Sequence, residues 1–148
     1  MNFANERMQD IWAEALPLFQ LHYQEVGQPD MVLDPDYDRM KMMEDAGMVY
    51  ILTARDEDRL VGYAAFIVQR HIHYKQSMVA LNDIIWLHPD YRKGRLGMRL
   101  IQLSEVALTA KGATKIYYHV KLPPHDFGPL LEKLGYRFVE RNFAKVIG

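Results

Sequence analysis

Residues 87–100 read Leu-His-Pro-Asp-Tyr-Arg-Lys-Gly-Arg-Leu-Gly-Met-Arg-Leu. An apolar, β-branched run ends at Pro89, a basic loop with two glycines follows, and a helical pattern then begins. Main-chain N–H groups at a helix N-terminus lack intrahelical partners and carry partial positive charge, which suits an anion. Gly94 and Gly97 let main chain approach a ligand with no Cβ in the way. Arg92, Lys93, Arg95 and Arg99 surround the same point with positive charge. The stretch predicts a phosphate or pyrophosphate site.

Working outward, residues Met78 to His88 form the strand that enters the loop. The helix that leaves it spans Gly94 to Lys111, with a stripe of Leu96, Leu100, Leu103 and Ala107, and stops at Gly112. Thr114 to Val120 is the next strand, so this unit predicts a parallel pair. Upstream, Glu6 to Val26 has helical spacing, with a kink or restart expected at Pro17. Asp34-Pro35-Asp36 caps a short helix ending at Gly47. Met48 to Ala54 and Leu60 to His73 pair as a hairpin across Asp56-Glu57-Asp58. Downstream, Asp126 caps a helix to Leu134, and Tyr136 to Val139 with Phe143 to Ile147 make a closing hairpin. The sum is one domain over residues 1–148, an α/β fold with a mixed sheet and helices on its faces.

Composition narrows the function. The chain of 148 residues has no cysteine, which removes disulfides, thiolate metal sites and a Cys nucleophile. No apolar run approaches the roughly 20 residues of a membrane span. The start MNFANERMQD does not read as a signal peptide, and a cytoplasmic home is expected. The net charge of −1 conceals an asymmetry. Residues 1–60 hold thirteen acids against five bases, a net −8, and residues 61–148 hold six acids against thirteen bases, a net +7. One half favours a polyanion and the other a cation.

The loop lacks the Gly-Lys-Ser/Thr of a P-loop and the GxGxxG of a dinucleotide fold. It resembles the GNAT acetyltransferase superfamily, whose signature is a strand ending Val-x-Pro, then Arg/Gln-x-x-Gly-x-Gly/Ala, then an amphipathic helix. Leu87-His88-Pro89 stands at the strand end and Arg92-Lys93-Gly94-Arg95-Leu96-Gly97 at the loop. The first motif glycine falls on Arg95, with Gly94 one residue early. Leu130-Leu131-Glu132-Lys133-Leu134-Gly135-Tyr136 is similar to the family's Leu-Tyr-Glu-Lys-Leu-Gly-Phe. Small bacterial and phage-encoded members look closest. The resemblance implies a mostly antiparallel sheet of six to seven strands with a central splayed parallel pair and about four helices. It also implies acetyl-CoA as co-substrate, with no metal. Pantetheine would pair near Trp86 and Leu87, and pyrophosphate would sit over residues 92–97, reaching Met98.

Acetyl transfer to an amine needs a base for the amine, a donor for the oxyanion, and stabilisation of the departing thiolate. Strand alternation places Asp83 among Val79, Leu81, Ile85 and Leu87, one carboxylate on an apolar face. Burial would raise its proton affinity toward a useful range, so Asp83 is the candidate base. The resembling family often has a carboxylate about four residues before Val-x-Pro, where Asp83 lies. Its usual acid, a tyrosine, is replaced by Leu131. The asparagine often preceding that helix is absent, with Pro123-Pro124 in its place. Tyr118, His119 and His125 are the substitutes. Glu25, Asp30, Asp34, Asp36, Asp38, Glu44 and Asp45 would form an acidic acceptor wall for a polyamine, an aminosugar or a lysine side chain.

His71 and His73 share a strand face, but no third metal ligand has telling spacing. A coenzyme-binding module without catalysis is the alternative, and a nucleic-acid binder using the basic loop a second one. The near-zero net charge and missing interleaved aromatics argue against nucleic acid. No membrane partner is expected, and a homodimer is compatible with the sequence.

Overall fold

Asn82 and Ile84 of one strand face neighbouring residues, Phe66 and Ala65, of the next, which leaves Asp83 without a partner. This bulge organises the sheet described below. The computed structural model describes residues 1–122 and 125–148. Pro123 and Pro124, read above as replacing an asparagine, lie outside the described residues.

The elements in chain order are β1 (Asn2–Asn5), α1 (Met8–Val26), α2 (Tyr37–Asp45), β2 (Val49–Asp56) and β3 (Arg59–Arg70). Then follow β4 (Met78–Leu87), a 3-10 turn (Pro89–Tyr91), α3 (Leu96–Ala110), β5 (Lys115–Tyr117) and α4 (Gly128–Lys133). One sheet has the order β1-β2-β3-β4-β5. Its first three pairings are antiparallel and β4–β5 is parallel, joined through α3.

Apolar residues occupy both faces of the central strands, so β2 and β3 read as continuous runs. Ile51, Tyr63, Ala65, Ile84 and Trp86 pack against Met8, Ile11, Ala15 and Phe19 of α1. Tyr50, Leu52, Ala64, Phe66 and Ala80 pack against Leu100 and Leu108 of α3. Burying a side chain of this size contributes roughly 1.5–3 kcal/mol. The α1 spacing of three and four residues aligns its buried positions on one stripe.

Several expectations are corrected. The sheet has five strands among the described residues, not six to seven. β1, unforeseen in NFAN, pairs with β2. Residues 136–148 form no hairpin strands, and Phe138, Phe143 and Ile147 are exposed. β5 has only three residues, a short edge on which to align further strands. Glu6 does not start α1; its carboxylate accepts from Thr53 and from Arg55 Nε. α1 runs through Pro17. Pro17 and Ala13, whose carbonyl loses its donor, are both exposed, so water can replace the missing bond. Asp36 caps α2 by accepting from Arg39 N–H at 3.0 Å, so Pro35 precedes the cap instead of opening the helix.

Candidate active site

The site forms where β4 and β5 part. Their pairing runs from Val79 opposite Lys115 to Leu81 opposite Tyr117 and then ends. Beyond it β4 continues alone to Leu87 on that side. His88 N–H donates to Val61 O at 2.8 Å. The antiparallel alternation then directs the main-chain groups of Trp86 toward β3, and those of Ile85 and Leu87 toward the gap. This corrects the expectation that Trp86 main chain borders the gap. Its indole N–H instead donates to Glu25 Oε1 at 3.1 Å.

The bulge sets the position of Asp83. Ala80 lies on the α3 face, yet Ile85, five residues on, packs there too, while Ile84 and Trp86 face α1. An uninterrupted strand cannot do this; the extra residue reverses the phase. Asn82 is buried, and its amide donates to Ala65 O at 3.2 Å and Ile84 O at 3.0 Å, satisfying carbonyls around the bulge. Asp83 therefore does not sit on the alternating face read from the sequence. Contrary to the expected burial its side chain is exposed, and it borders a cavity of about 450 Å³ between the end of α1, the 27–35 segment and β4. Crowding by protein on the cavity side pushes its carboxyl above the ordinary range, while Lys121 and then His119 pull it down.

His119 is exposed and electrostatically close to Asp83, whereas Tyr118 belongs to the opposite face. The Tyr118 ring meets Phe66, Phe127 and Tyr136 edge-on. Its hydroxyl is buried and has no hydrogen-bond partner among the described residues. Burial pushes its acidity well down. His125 Nε2 lies 3.2 Å from Glu25 Oε2, away from Asp83's immediate partners. Leu131, at the family's tyrosine position, is buried in packing.

The loop keeps its main chain free. No acceptor among the described residues takes the N–H groups of 93–98. Gly94 has φ +98°, and a Cβ built at Gly94 or Gly97 meets nothing within 4 Å. Lys93 and Arg95 are exposed. Arg99 lies over the Phe3 ring at 5.1 Å. Arg92 is not free as expected: its Nε donates to Leu87 O at 2.8 Å, and Nη1 and Nη2 hold Glu25 at 2.8 and 2.7 Å. Those bonds hold the Glu25 carboxyl down to about 2. Open glycines, unpaired amides and an unpaired strand edge fit a pyrophosphate and an amide-bearing arm. The remaining chemistry would come from acetyl-CoA as the source of the acetyl group.

Of the seven acids read as a wall, Asp34 is the one that borders the cavity among its described lining. Glu25 holds Arg92, Asp36 caps α2, and Glu44 and Asp45 pair with Arg7. Lys121, unremarked in the sequence, borders the cavity and lies over Tyr23 at 5.7 Å. No spacing signals it, because it follows the point where β5 ends. His22, counted as part of an apolar stripe, is buried and bonds Tyr63 Oη at 2.9 Å. Among the described residues no cluster of three metal-type side chains occurs, and no helix is long and apolar enough to cross a membrane.

Comparison with known proteins bears on this geometry. No curated protein sequence matches the chain. Ribosomal-protein-alanine N-acetyltransferase from Brucella melitensis biovar Abortus 2308 superposes with a TM-score of 0.75 at 19% identity, covering 99% of both chains. Glucosamine-6-phosphate N-acetyltransferase from Arabidopsis thaliana gives 0.72 at 13% identity over 100% of both. An aminoglycoside acetyltransferase from an uncultured soil metagenomic sample, in complex with sisomicin, gives 0.73 at 13% identity over 99% of this chain and 94% of that one. At such identities the likeness establishes the fold. A sequence model described as "Acetyltransferase (GNAT) family" matches residues 6–136, from just before α1 to just past α4, taking in β2 to β5. With that match over most of its length, and with a free amide loop after a splayed strand, the chain belongs to the GNAT acetyltransferase family.

Proposed function

We propose that residues 1–148 form one N-acetyltransferase domain that transfers acetyl from acetyl-CoA to a primary amine, by direct attack within a ternary complex. The observation that carries this is the meeting of two openings at one fork. The β4–β5 pairing ends at Leu81 and Tyr117, and Asp83, Ile84 and Lys121, just beyond that point, border the cavity. A donor in the gap and an amine in the cavity would meet at the fork.

The residues divide the work. Amides from Lys93 to Met98 take the diphosphate, with Lys93 and Arg95 adding charge; Gly94, Leu96 and Gly97 keep the surface open. Ile85 and the Leu87 N–H offer main-chain bonds to the pantetheine arm, the Leu87 carbonyl being engaged by Arg92. Asp83 takes the proton from the amine, directly or through a water. The amine nitrogen bonds to the acetyl carbonyl carbon as the carbon–sulfur bond breaks, and the coenzyme leaves as its thiol. The departing sulfur takes its proton from water, and His119 stabilises charge beside Asp83; Tyr118, packed on the opposite face, shapes the sheet behind the site. Zero cysteines and these small-molecule substrates suit a cytoplasmic setting.

Steady-state thiol release with acetyl-CoA and an amine, both varied, is the test. Intersecting double-reciprocal lines and an acetylated amine product are expected. Parallel lines would sink direct attack; coenzyme binding with no release from any amine would favour a binding module.

A further inference from the structure

We propose that the cavity beside Asp83 selects an amine carrying one positive charge on an apolar body, in preference to polyamines and aminosugars. This rests on the acetyl-transfer reading above and names its substrate class.

The lining decides it. The charged groups among the described lining are Asp34, Asp83 and Lys121, two carboxylates against one ammonium. The formal balance is −1, which a single ammonium neutralises. A second ammonium on the same molecule would enter a cavity that already holds Lys121. Asp34, Asp83 and Lys121 are all exposed, so water weakens the effect, but two like charges within a Debye length still repel. Lys121 is held near this site by the Tyr23 ring, 5.7 Å from its Nζ, and it acts on Asp83. Four of the acids read as a polycation's wall are committed elsewhere: Glu25 to Arg92, Glu44 and Asp45 to Arg7, and Asp36 to its helix cap.

The walls point the same way. Phe19, Val26, Met31, Val32, Leu33 and Ile84 supply hydrocarbon. Pro29 and Pro35 add apolar rings with no N–H. Gln24, Gln28 and the Tyr23 hydroxyl are the uncharged polar side chains among the described lining, few partners for a ring of sugar hydroxyls. Met31 and Val32 are 65% and 91% exposed, so the apolar surface continues outward at the rim. A volume of about 450 Å³ suits a small molecule, not a folded partner.

The experiment uses the full chain, acetyl-CoA and four amines: 2-phenylethylamine, hexylamine, spermidine and glucosamine. Thiol release should give 2-phenylethylamine or hexylamine a kcat/KM at least about tenfold above the other two. Spermidine or glucosamine as the better substrate would overturn the selectivity and leave the transferase reading standing. Acetyl-CoA raising the melting temperature while no amine releases thiol would overturn both. Two variants locate the cause. Leu33→Glu, at an exposed rim position, should narrow the ratio of hexylamine to spermidine about tenfold, with the KM for acetyl-CoA unchanged. Lys121→Gln should raise kcat/KM for spermidine about fivefold. A ratio unmoved in both variants would show that this cavity does not receive the acceptor.

Discussion

The side-chain amide of Asn82 donates to the main-chain oxygen of Ile84, two residues further on, at 3.0 Å. The bond spans the unpaired residue between them, Asp83, and holds it out of the ladder. A second bond from the same amide, to Ala65 O, ties the bulge to β3. Asn82→Ala removes both and strands two carbonyls. We expect a loss of about 1–3 kcal/mol in chemical denaturation. Catalysis should fall in the folded fraction as well, because Asp83, the proposed base, loses its placement. Wild-type turnover per folded molecule would show that Asn82 only stabilises.

Asp83→Asn separates binding from proton transfer. Acetyl-CoA affinity should stay, since the loop amides lie elsewhere, while kcat falls about a hundredfold near neutral pH. Protein packed close to the exposed carboxyl pushes it up, and it must be ionised to accept a proton. Wild-type rate should therefore decline as pH drops through that raised value, and the variant should lack this limb. An identical pH profile in both would remove Asp83 from the reaction.

Glu25 and Arg92 bond at 2.7 and 2.8 Å, yet Arg92 stands at the head of the basic loop. Its guanidinium is held at the surface by Glu25 of α1, so Arg92→Ala should cost stability, about 1 kcal/mol, more than coenzyme affinity. Arg95→Ala should do the reverse, weakening acetyl-CoA binding about threefold to tenfold without changing the melting temperature. Calorimetric titration and thermal melts on the two variants decide it. Equal affinity losses would mean that Arg92 turns toward the phosphates.

Gly97→Val tests the loop without straining the fold. A Cβ there meets nothing within 4 Å, and valine is no worse than glycine inside a helix. Stability should be unchanged, while acetyl-CoA binding is lost as the side chain fills the approach to the amides. Retained binding would place the coenzyme elsewhere.

Burial drives the His22 imidazole down from 6.5 to about 4, keeping it neutral against Tyr63. The unfolded chain takes up this proton near 6.5 and the fold resists it until about 4, so the unfolded state binds more protons between these values. Stability is full above that window and falls as pH drops, by roughly 2 kcal/mol at pH 5. His22→Gln should be less stable at pH 7 but flatter between pH 7 and 5. Equal slopes in denaturant titrations would show that His22 does not titrate this way.

The order of elements from α1 to α4 was legible because each carries its own local chemistry. Asp36 caps wherever it lies before a short helical run, and a basic Gly loop before a stripe of leucines reads as a helix start. The family followed from Leu87–Gly97 and from Leu130–Tyr136, contiguous segments whose meaning does not depend on distant partners. The place of Asp83 could be guessed, but not its cause. Alternation put it on an apolar face, whereas a bulge set by β3 and clasped by Asn82 turned it toward the cavity. β1 was invisible because four residues of NFAN acquire strand character only by pairing with β2. Composition gave the charge of the first sixty residues, and the fold alone decided which acids were spent on Arg7 and Arg92 and which faced the cavity. Local propensity and motif are written along the chain; phase, pairing and the partner of each charge are properties of residues far apart in sequence, and only packing brings them together.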